Sequence, residues 1–299
     1  MFELKINNTD NSHEIILSKC NLLIEFYLKN PTKEIIFDIR NLTFIYPDYA
    51  LLLLCSFKYL EQNGIIVKGK MKYTDSYCIK YLARMGFFRN LNIDIPSEVE
   101  NITKSSFVEI QKYDELNQVE ICNSLLRVIK SNSVINDNVF TSLDYCFNEI
   151  LDNVLLHSEI KHGWVVMQYF PNMNAIRLIV CDFGIGVNEA LKSKYNFTEE
   201  ESIKKCIESG ITNGKGQGHG LYATSEFVKL NRGWLSIITG NKKLDLNEDE
   251  LRVRDVAFWQ GTCIYLRINT NIDVDYTKFT SRCGDYKEHV IERFEDMFN

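Results

Sequence analysis

The sequence predicts a mixed α/β protein with two domains. Its 299 residues exceed the usual length of one domain, and 45% of them are apolar, which is enough for packed cores. Segments typical of strands alternate with segments typical of helices over residues 1–92. This alternation indicates a sheet in which at least some strands pair in parallel. A second series of helices and strands occupies residues 115–270.

The first domain, residues 1–92, is predicted from hydrophobic periodicity. Strands are expected at 2–6, 34–39 and 65–70. Helices are expected at 16–28, 49–61 and 76–85. The helix at 49–61 is strongly apolar, and Asn63 with Gly64 favours its end at that point.

Residues 93–114 lack clear periodicity, so we expect a connector with room for one edge strand. The second domain, 115–270, is expected to contain helices at 115–131, 137–158, 198–209 and 220–230, and strands at 163–170, 175–182, 234–239 and 261–268. Thr198 and Glu201 fit a capping box. The polar residues 241–260 are expected to form an excursion from the core, and 271–299 a tail helix.

The composition argues against several classes of function. The net charge of −6 argues against a nucleic-acid partner, which normally needs a basic stripe. No apolar run approaches the ~18 residues of a membrane span, and no signal peptide is visible. The nine cysteines form no C-x-x-C pair, so we expect reduced thiols in a cytoplasmic protein without a membrane partner. His13 lies among polar residues and is expected at the surface.

Three stretches carry the residues on which a functional prediction depends. The first is the helical segment Phe147–Ser158, where Glu149, Asn153 and His157 lie four residues apart and therefore on one face. A carboxylate and a carboxamide one turn apart suit a divalent metal and a polarised water, although a solvated helix edge would look the same.

The second and third stretches are rich in glycine. Val180–Val187 places Asp182 at the end of an apolar strand, before Gly184 and Gly186. Gly214–Tyr222 is a loop of alternating glycines that opens a helix, an arrangement whose backbone N–H groups can bind phosphates. Taken singly, these stretches are also compatible with an Asp-Gly turn and a flexible linker.

Together, in this order and spacing, the three stretches resemble the N, G1 and G2 boxes of the GHKL superfamily, the ATPases of gyrase, chaperone, histidine-kinase and mismatch-repair proteins. The resemblance covers roughly residues 115–270. It implies a two-layer α/β sandwich, the Bergerat fold, that binds ATP with Mg²⁺.

The resemblance also implies a role for each matched residue. Asn153 would hold the magnesium ion, Glu149 would be the general base, and Asp182 would accept a hydrogen bond from the adenine amino group. The other implied ATP-binding residues are His157, Gly184, Gly186, Gly214, Lys215, Gly216, Gln217, Gly218, His219, Gly220, Leu221 and Thr262. Two positions depart from the pattern, because Leu156 stands where many relatives have lysine and His219 where many have a larger apolar residue.

The first domain resembles the STAS domain of bacterial anti-sigma-factor antagonists through the stretch Asp38–Leu54. In that family an Asp-Ser-Ser-Gly turn precedes a leucine-rich helix, and one serine accepts phosphate. Here Tyr46–Tyr49 replaces the turn, and Asp48 stands at the acceptor position. We therefore expect a fixed docking or dimerisation element, in which Asp48 either carries a permanent charge or caps the helix.

These resemblances lead to two functional hypotheses. The first is a protein serine/threonine kinase similar to the anti-sigma-factor kinases, a bacterial regulator that acts on a regulatory protein partner. The second is an ATP-gated interaction switch or slow ATPase with little phosphotransfer. A homodimer is compatible with both.

Overall fold

The computed structural model describes residues 2–30, 34–72, 76–95, 106–214 and 219–283, without the side chains of 138, 141, 142 and 157. It is a mixed α/β structure with two sheets, as the sequence predicts. In the part of the chain that is described, no helix combines the length and the apolar character that crossing a membrane requires.

In the residues that the structure describes, the N-terminal unit contains a three-stranded parallel sheet and four helices. Its strands are β1 (Phe2–Lys5), β2 (Glu34–Asp38) and β3 (Ile66–Lys70), in the order β1-β2-β3. Its helices are α1 (His13–Lys29), α2 (Pro47–Gln62), α3 (Tyr77–Arg84) and α4 (Phe87–Asn90). Pro47 occupies the first turn of α2, where the missing N–H group is not needed, so this helix begins earlier than the sequence predicts.

The C-terminal unit is built on a five-stranded antiparallel sheet of order β4-β5-β6-β8-β7. Its strands are β4 (Phe107–Tyr113), β5 (Gly163–Phe170), β6 (Ala175–Cys181), β7 (Trp234–Leu246) and β8 (Leu251–Asn269). Strand β4 lies within the predicted connector and forms one edge of this sheet.

Six α-helices of this unit are described. They are α5 (Gln118–Asn132), α6 (Asp137–His157), α7 (Gly186–Lys192), α8 (Glu199–Lys205), α9 (Gly220–Leu230) and α10 (Tyr276–Arg282). The capping box of α8 is present, since Thr198 and Glu201 bond each other's main chain. Of the predicted tail helix, α10 is the described part, and residues 284–299 lie outside the described residues.

The five-stranded sheet is covered on both faces. Because side chains alternate along a strand, Val165 and Val180 pack against α5, α6 and α9, whereas Val166 and Ile179 pack against the N-terminal unit. Helices α1 and α2 contact both sheets. Most residues of α2 are therefore buried, which explains why this helix is apolar nearly all round.

The prediction of an excursion at 241–260 is wrong. The segment forms the outer part of a long hairpin, in which β7 and β8 pair from Trp234–Arg267 to Leu246–Leu251. Its polar residues are satisfied by ion pairs, for example Lys243 Nζ, which lies 2.6 Å from Glu14 Oε1 on α1 and 3.2 Å from Asp245. The low hydrophobicity of this segment reflects charged residues that form ion pairs within the fold, so it was not a sign of a loop.

The prediction of a surface position for His13 is also wrong. His13 is 7% exposed, and its Nε2 lies 2.8 Å from Oδ2 of Asp48, which is 1% exposed. The same oxygen accepts a 2.6 Å hydrogen bond from Arg177 of β6. Asp48 does not cap α2, because Tyr46 is the N-cap residue. The residues next to these positions in the sequence did not indicate that Asp48 would contact partners 35 and 129 residues away.

This buried ion pair joins the two units of the chain. Burial alone would raise the pKa of Asp48, but the charge of Arg177 and the hydrogen bonds from His13 and Arg177 hold that pKa below its usual range. The guanidinium of Arg177 lies 3.9 Å from the centroid of the Tyr46 ring. Asp48 Oδ1 and Arg177 Nε remain buried without a hydrogen-bond partner.

Candidate functional site

A pocket lies where α6, the end of β6, α7 and the start of α9 meet. It encloses about 1040 Å³ of empty space, including space open to solvent. Seven of the residues predicted for the site line it: Glu149, Asn153, Asp182, Gly186, Gly220, Leu221 and Thr262. The three stretches are separated by tens of residues in the sequence, and the fold brings all of them to this one place.

Helix α6 supplies the polar side of the pocket. Its apolar residues, such as Phe147 and Leu151, are buried in the core on one face of the sheet. Glu149 and Asn153 lie beside that stripe, one turn apart, and both line the pocket. Leu156 lines it as well and is partly exposed. The side chain of His157 lies outside the described residues.

Asp182 is the most buried polar residue of the pocket lining and is only 2% exposed. Its Oδ1 accepts a 2.6 Å hydrogen bond from the N–H of Gly184. Within the described residues, no basic side chain pairs with it. Burial raises the pKa of Asp182 to about 7, even though hydrogen bonds from the main chain at Gly184 and Thr262 oppose the shift. The pocket therefore contains a carboxylate that is costly to ionise unless a ligand donates a hydrogen bond to it.

Two glycines let backbone segments approach the site closely. A Cβ atom on Gly220 would lie 2.2 Å from the Cβ of Glu149, so the start of α9 can rest on α6 only without a side chain. A Cβ atom on Gly261 would lie 2.4 Å from the carbonyl oxygen of Asp182, and the φ of Gly261 is +90°. Gly261 was missed by the sequence reasoning, because an isolated glycine at a strand start carries little signal.

The loop between α8 and α9 borders the opposite side of the pocket. Thr212 and Asn213 line it, and Gly214 follows with a φ of +97°. The predicted site residues Lys215, Gly216, Gln217 and Gly218 lie outside the described residues. His219 is the N-cap residue of α9 but makes no side-chain capping bond, and its Nδ1 lies 3.2 Å from Ser209 Oγ.

The first turn of α9 gives the pocket its capacity for anions. The first N–H groups of an α-helix have no partner within the helix, and the macrodipole places partial positive charge there. Gly220 and Leu221, which begin α9, line the pocket. This end of the pocket therefore suits a phosphate group.

The turn that carries Asp182 is held by residues that the sequence reasoning missed. Trp259 Nε1 donates a 3.2 Å hydrogen bond to the carbonyl oxygen of Asp182, and Gln260 Nε2 donates a 2.6 Å bond to that of Gly184. Gly184 itself packs against Ser158 at the end of α6 instead of lining the pocket. Trp259 and Gln260 are 77 and 76 residues from their partners, so no local pattern could have indicated them.

The oxygen donors on α6 fit a magnesium ion that is shared with phosphates. Asp152, which the sequence reasoning also missed, lines the pocket beside Asn153 and accepts a 2.7 Å hydrogen bond from Gln118 Nε2. In the described ranges, no group of three His, Cys, Asp or Glu side chains could hold a metal alone. Mg²⁺ commonly keeps several waters and takes one or two protein ligands together with phosphate oxygens.

No protein-family model matches the sequence, and no curated protein matches it. The geometry of the pocket and the chemistry of its lining residues are therefore the observations that bear on function.

Proposed function

We propose that the C-terminal unit binds ATP with Mg²⁺ in the manner of the GHKL ATPases that its motifs resemble. The observation that carries the proposal is the meeting, in one pocket, of Glu149 and Asn153 from α6, Asp182 from the end of β6, and the start of α9. The five-stranded sheet with α5, α6 and α9 on one face supports a Bergerat-type sandwich. The parallel sheet of the N-terminal unit supports a STAS-like domain.

The Asp182 end of the pocket is suited to adenine. Val180, Leu191 and Ile264 line the pocket together with Asp182 and Thr262, so apolar walls accompany a polar edge. An adenine ring needs apolar contact on its faces and an acceptor for its amino group. The buried carboxylate of Asp182 offers that acceptor, and the amino group would add a further hydrogen bond to the one that Oδ1 accepts from Gly184.

The α9 end is suited to the phosphates. The first N–H groups of α9 offer donors, and Asn153 and Asp152 offer oxygen ligands for the Mg²⁺ that phosphates bring. The magnesium ion, when bound, would neutralise developing charge on the phosphates. Lys215 follows Gly214 in the sequence and would add a positive charge.

Glu149 is the proposed general base. It lines the pocket one turn before Asn153, next to the proposed phosphate end. Its carboxylate would accept the proton of a hydroxyl group that attacks the terminal phosphate, in a protein substrate for a kinase or in water for an ATPase. We propose the kinase reaction on a separate protein partner. Asp48, at the STAS acceptor position, has no hydroxyl and is held in the buried ion pair with Arg177, so this residue cannot accept phosphate as a serine would.

The experiment uses purified full-length protein with radiolabelled Mg-ATP and candidate partner proteins. Glu149→Gln should retain ATP binding and lose turnover by about 10²–10⁴-fold, since it keeps the shape of the side chain but removes the base. Glu115→Gln, an exposed position away from the pocket, is the matched control. Radiolabel on a partner protein would support the kinase hypothesis, and radiolabel in free phosphate would support the ATPase hypothesis. ATP binding without turnover would support the interaction switch. Wild-type turnover by Glu149→Gln would refute the role of Glu149.

A further inference from the structure

The Asp182 turn stands between the pocket and the N-terminal unit. Asp182 lines the pocket, whereas its neighbours Cys181 and Phe183 belong to the core shared with the N-terminal unit. The ring of Phe183 is stacked between two aromatic rings. One belongs to Trp259 of β8, with centroids 5.0 Å apart, and the other to Tyr59 of α2, with centroids 5.5 Å apart.

Two helices of the N-terminal unit touch the elements behind this turn. Tyr59 on α2 covers the outer face of Phe183. On α1, Asn21 Nδ2 donates a 3.3 Å hydrogen bond to the carbonyl oxygen of Phe258, the residue before Trp259. Trp259 then bonds the main chain of Asp182 directly. A continuous series of contacts therefore connects the N-terminal helices with the buried carboxylate in the pocket.

We propose that Tyr59 is a positioning residue for the nucleotide site, and that the N-terminal unit is thereby a structural part of that site. Tyr59 fixes the ring of Phe183 between itself and Trp259, and this holds the Asp182–Gly184 turn in the conformation that presents the carboxylate to the pocket. The inference rests on the proposed function as far as ATP is concerned, but the positioning of the turn can be measured without any ligand.

The relation is reciprocal, because coupling between two sites acts equally in both directions. If Tyr59 favours the turn conformation that binds ATP, then ATP favours the packing of α2 against Phe183. ATP should therefore slow amide exchange in α2 around Tyr59, although this helix does not line the pocket. Because ligand binding also stabilises the whole fold, the response specific to this coupling is a slowing in α2 around Tyr59 that exceeds the slowing in α3.

The test compares Tyr59→Ala with Tyr59→Phe and Tyr27→Ala in the full-length protein. Tyr59→Phe keeps the stacked ring, and Tyr27 is a partly buried tyrosine on α1 packed on the same core. Amide exchange across residues 182–187 is measured without nucleotide, and ATP affinity by calorimetry. We expect Tyr59→Ala to speed that exchange and weaken ATP about tenfold, the size expected for one aromatic pair, and Tyr59→Phe to restore both.

Trp259→Phe provides a second variant in case Tyr59→Ala fails to fold. It keeps an aromatic ring against Phe183 but removes the N–H that binds the Asp182 carbonyl. We expect faster exchange at 182–187 and about fivefold weaker ATP binding. The proposal would be overturned if Tyr59→Ala and Trp259→Phe both showed the same amide exchange at 182–187 and the same ATP affinity as Tyr27→Ala. If the wild type binds no ATP, the proposed function fails, and the exchange measured without nucleotide still decides the role of Tyr59.

Discussion

Replacing Asp182 by asparagine should stabilise the protein at high pH. The pKa of Asp182 is raised from 3.8 to about 7, a difference of about 3 units, and each unit corresponds to about 1.4 kcal/mol. Well below pH 3.8 the group is protonated in the folded and unfolded states, so it costs nothing. As the pH rises to 7, the unfolded chain ionises first and stability is lost, up to about 4 kcal/mol.

An asparagine does not titrate, so the variant escapes this loss. At pH 5 about 1.6 kcal/mol of the cost is already present, which leaves about 3 kcal/mol to appear between pH 5 and pH 8. The new amide N–H₂ group needs a partner, and leaving it unmet would cost about 1–3 kcal/mol at either pH. The prediction therefore concerns the change with pH: relative to wild type, Asp182→Asn should gain about 3 kcal/mol between the two values.

Urea unfolding at pH 5, 6, 7 and 8, followed by tryptophan fluorescence, measures this change. Asp249→Asn, at an exposed position near the tip of the β7–β8 hairpin, controls for the chemical substitution itself. If Asp182→Asn and wild type show parallel stability profiles, the carboxylate does not carry an uncompensated charge. The inference that the Asp182 carboxylate needs a hydrogen-bond donor from a ligand would then be wrong.

Three further predictions concern the surrounding structure. Gly220→Ala would place a Cβ atom 2.2 Å from that of Glu149, so α9 must shift; we expect stability to fall by about 1–3 kcal/mol and ATP binding to be lost, by urea unfolding and calorimetry. Arg177→Met removes the guanidinium partner of the buried Asp48 charge, leaves its contact with His13, and should cost about 3–5 kcal/mol in urea unfolding, whereas Asp48→Leu with Arg177→Met should cost less than the sum of the single changes. Amide exchange across residues 209–222 should slow when Mg-ATP is added, because ordering a loop of alternating glycines protects its amides.

Each of these has a matched control and a contradicting result. Gly210→Ala introduces backbone strain without a collision, because the φ of Gly210 is +77° and a Cβ atom there meets nothing within 4 Å, whereas the φ of Gly220 is not positive. Wild-type stability together with wild-type ATP affinity in Gly220→Ala would contradict the collision. Strict additivity of the Asp48 and Arg177 changes would show that the two do not interact. ADP and GTP serve as comparison ligands for the loop, and exchange unchanged by ATP would count against its role as a lid.

The parts of the site on single elements were predictable from the sequence. The spacing of Glu149 and Asn153 places both on one helical face, and the apolar stripe beside them determines which face meets the pocket. Asp182 could be placed at a strand end because the run before it is apolar. These inferences need only local periodicity, and the mixed α/β class follows from the same information.

The parts that depend on distant partners were not predictable. The polar residues around His13 in the sequence predict a surface position. Its burial is possible because His13 contacts Asp48, which also binds Arg177. The polar sequence of 241–260 predicts a loop, and only the fold shows that Lys243 of this hairpin forms an ion pair with Glu14. Trp259 supports the site only because β8 pairs beside β6, and sheet register is a property of the assembled fold.

The most direct test of the central claim is isothermal titration calorimetry of the full-length protein with Mg-ATP. We expect binding by the wild type, and a loss of about 100-fold or more in affinity for Asp182→Ala and for Asn153→Ala, because each removes a contact to a different end of the nucleotide. The double variant should bind too weakly to measure. Wild-type affinity in both single variants, or no heat of ATP binding to the wild type at millimolar nucleotide, would contradict the assignment of this pocket as an ATP site.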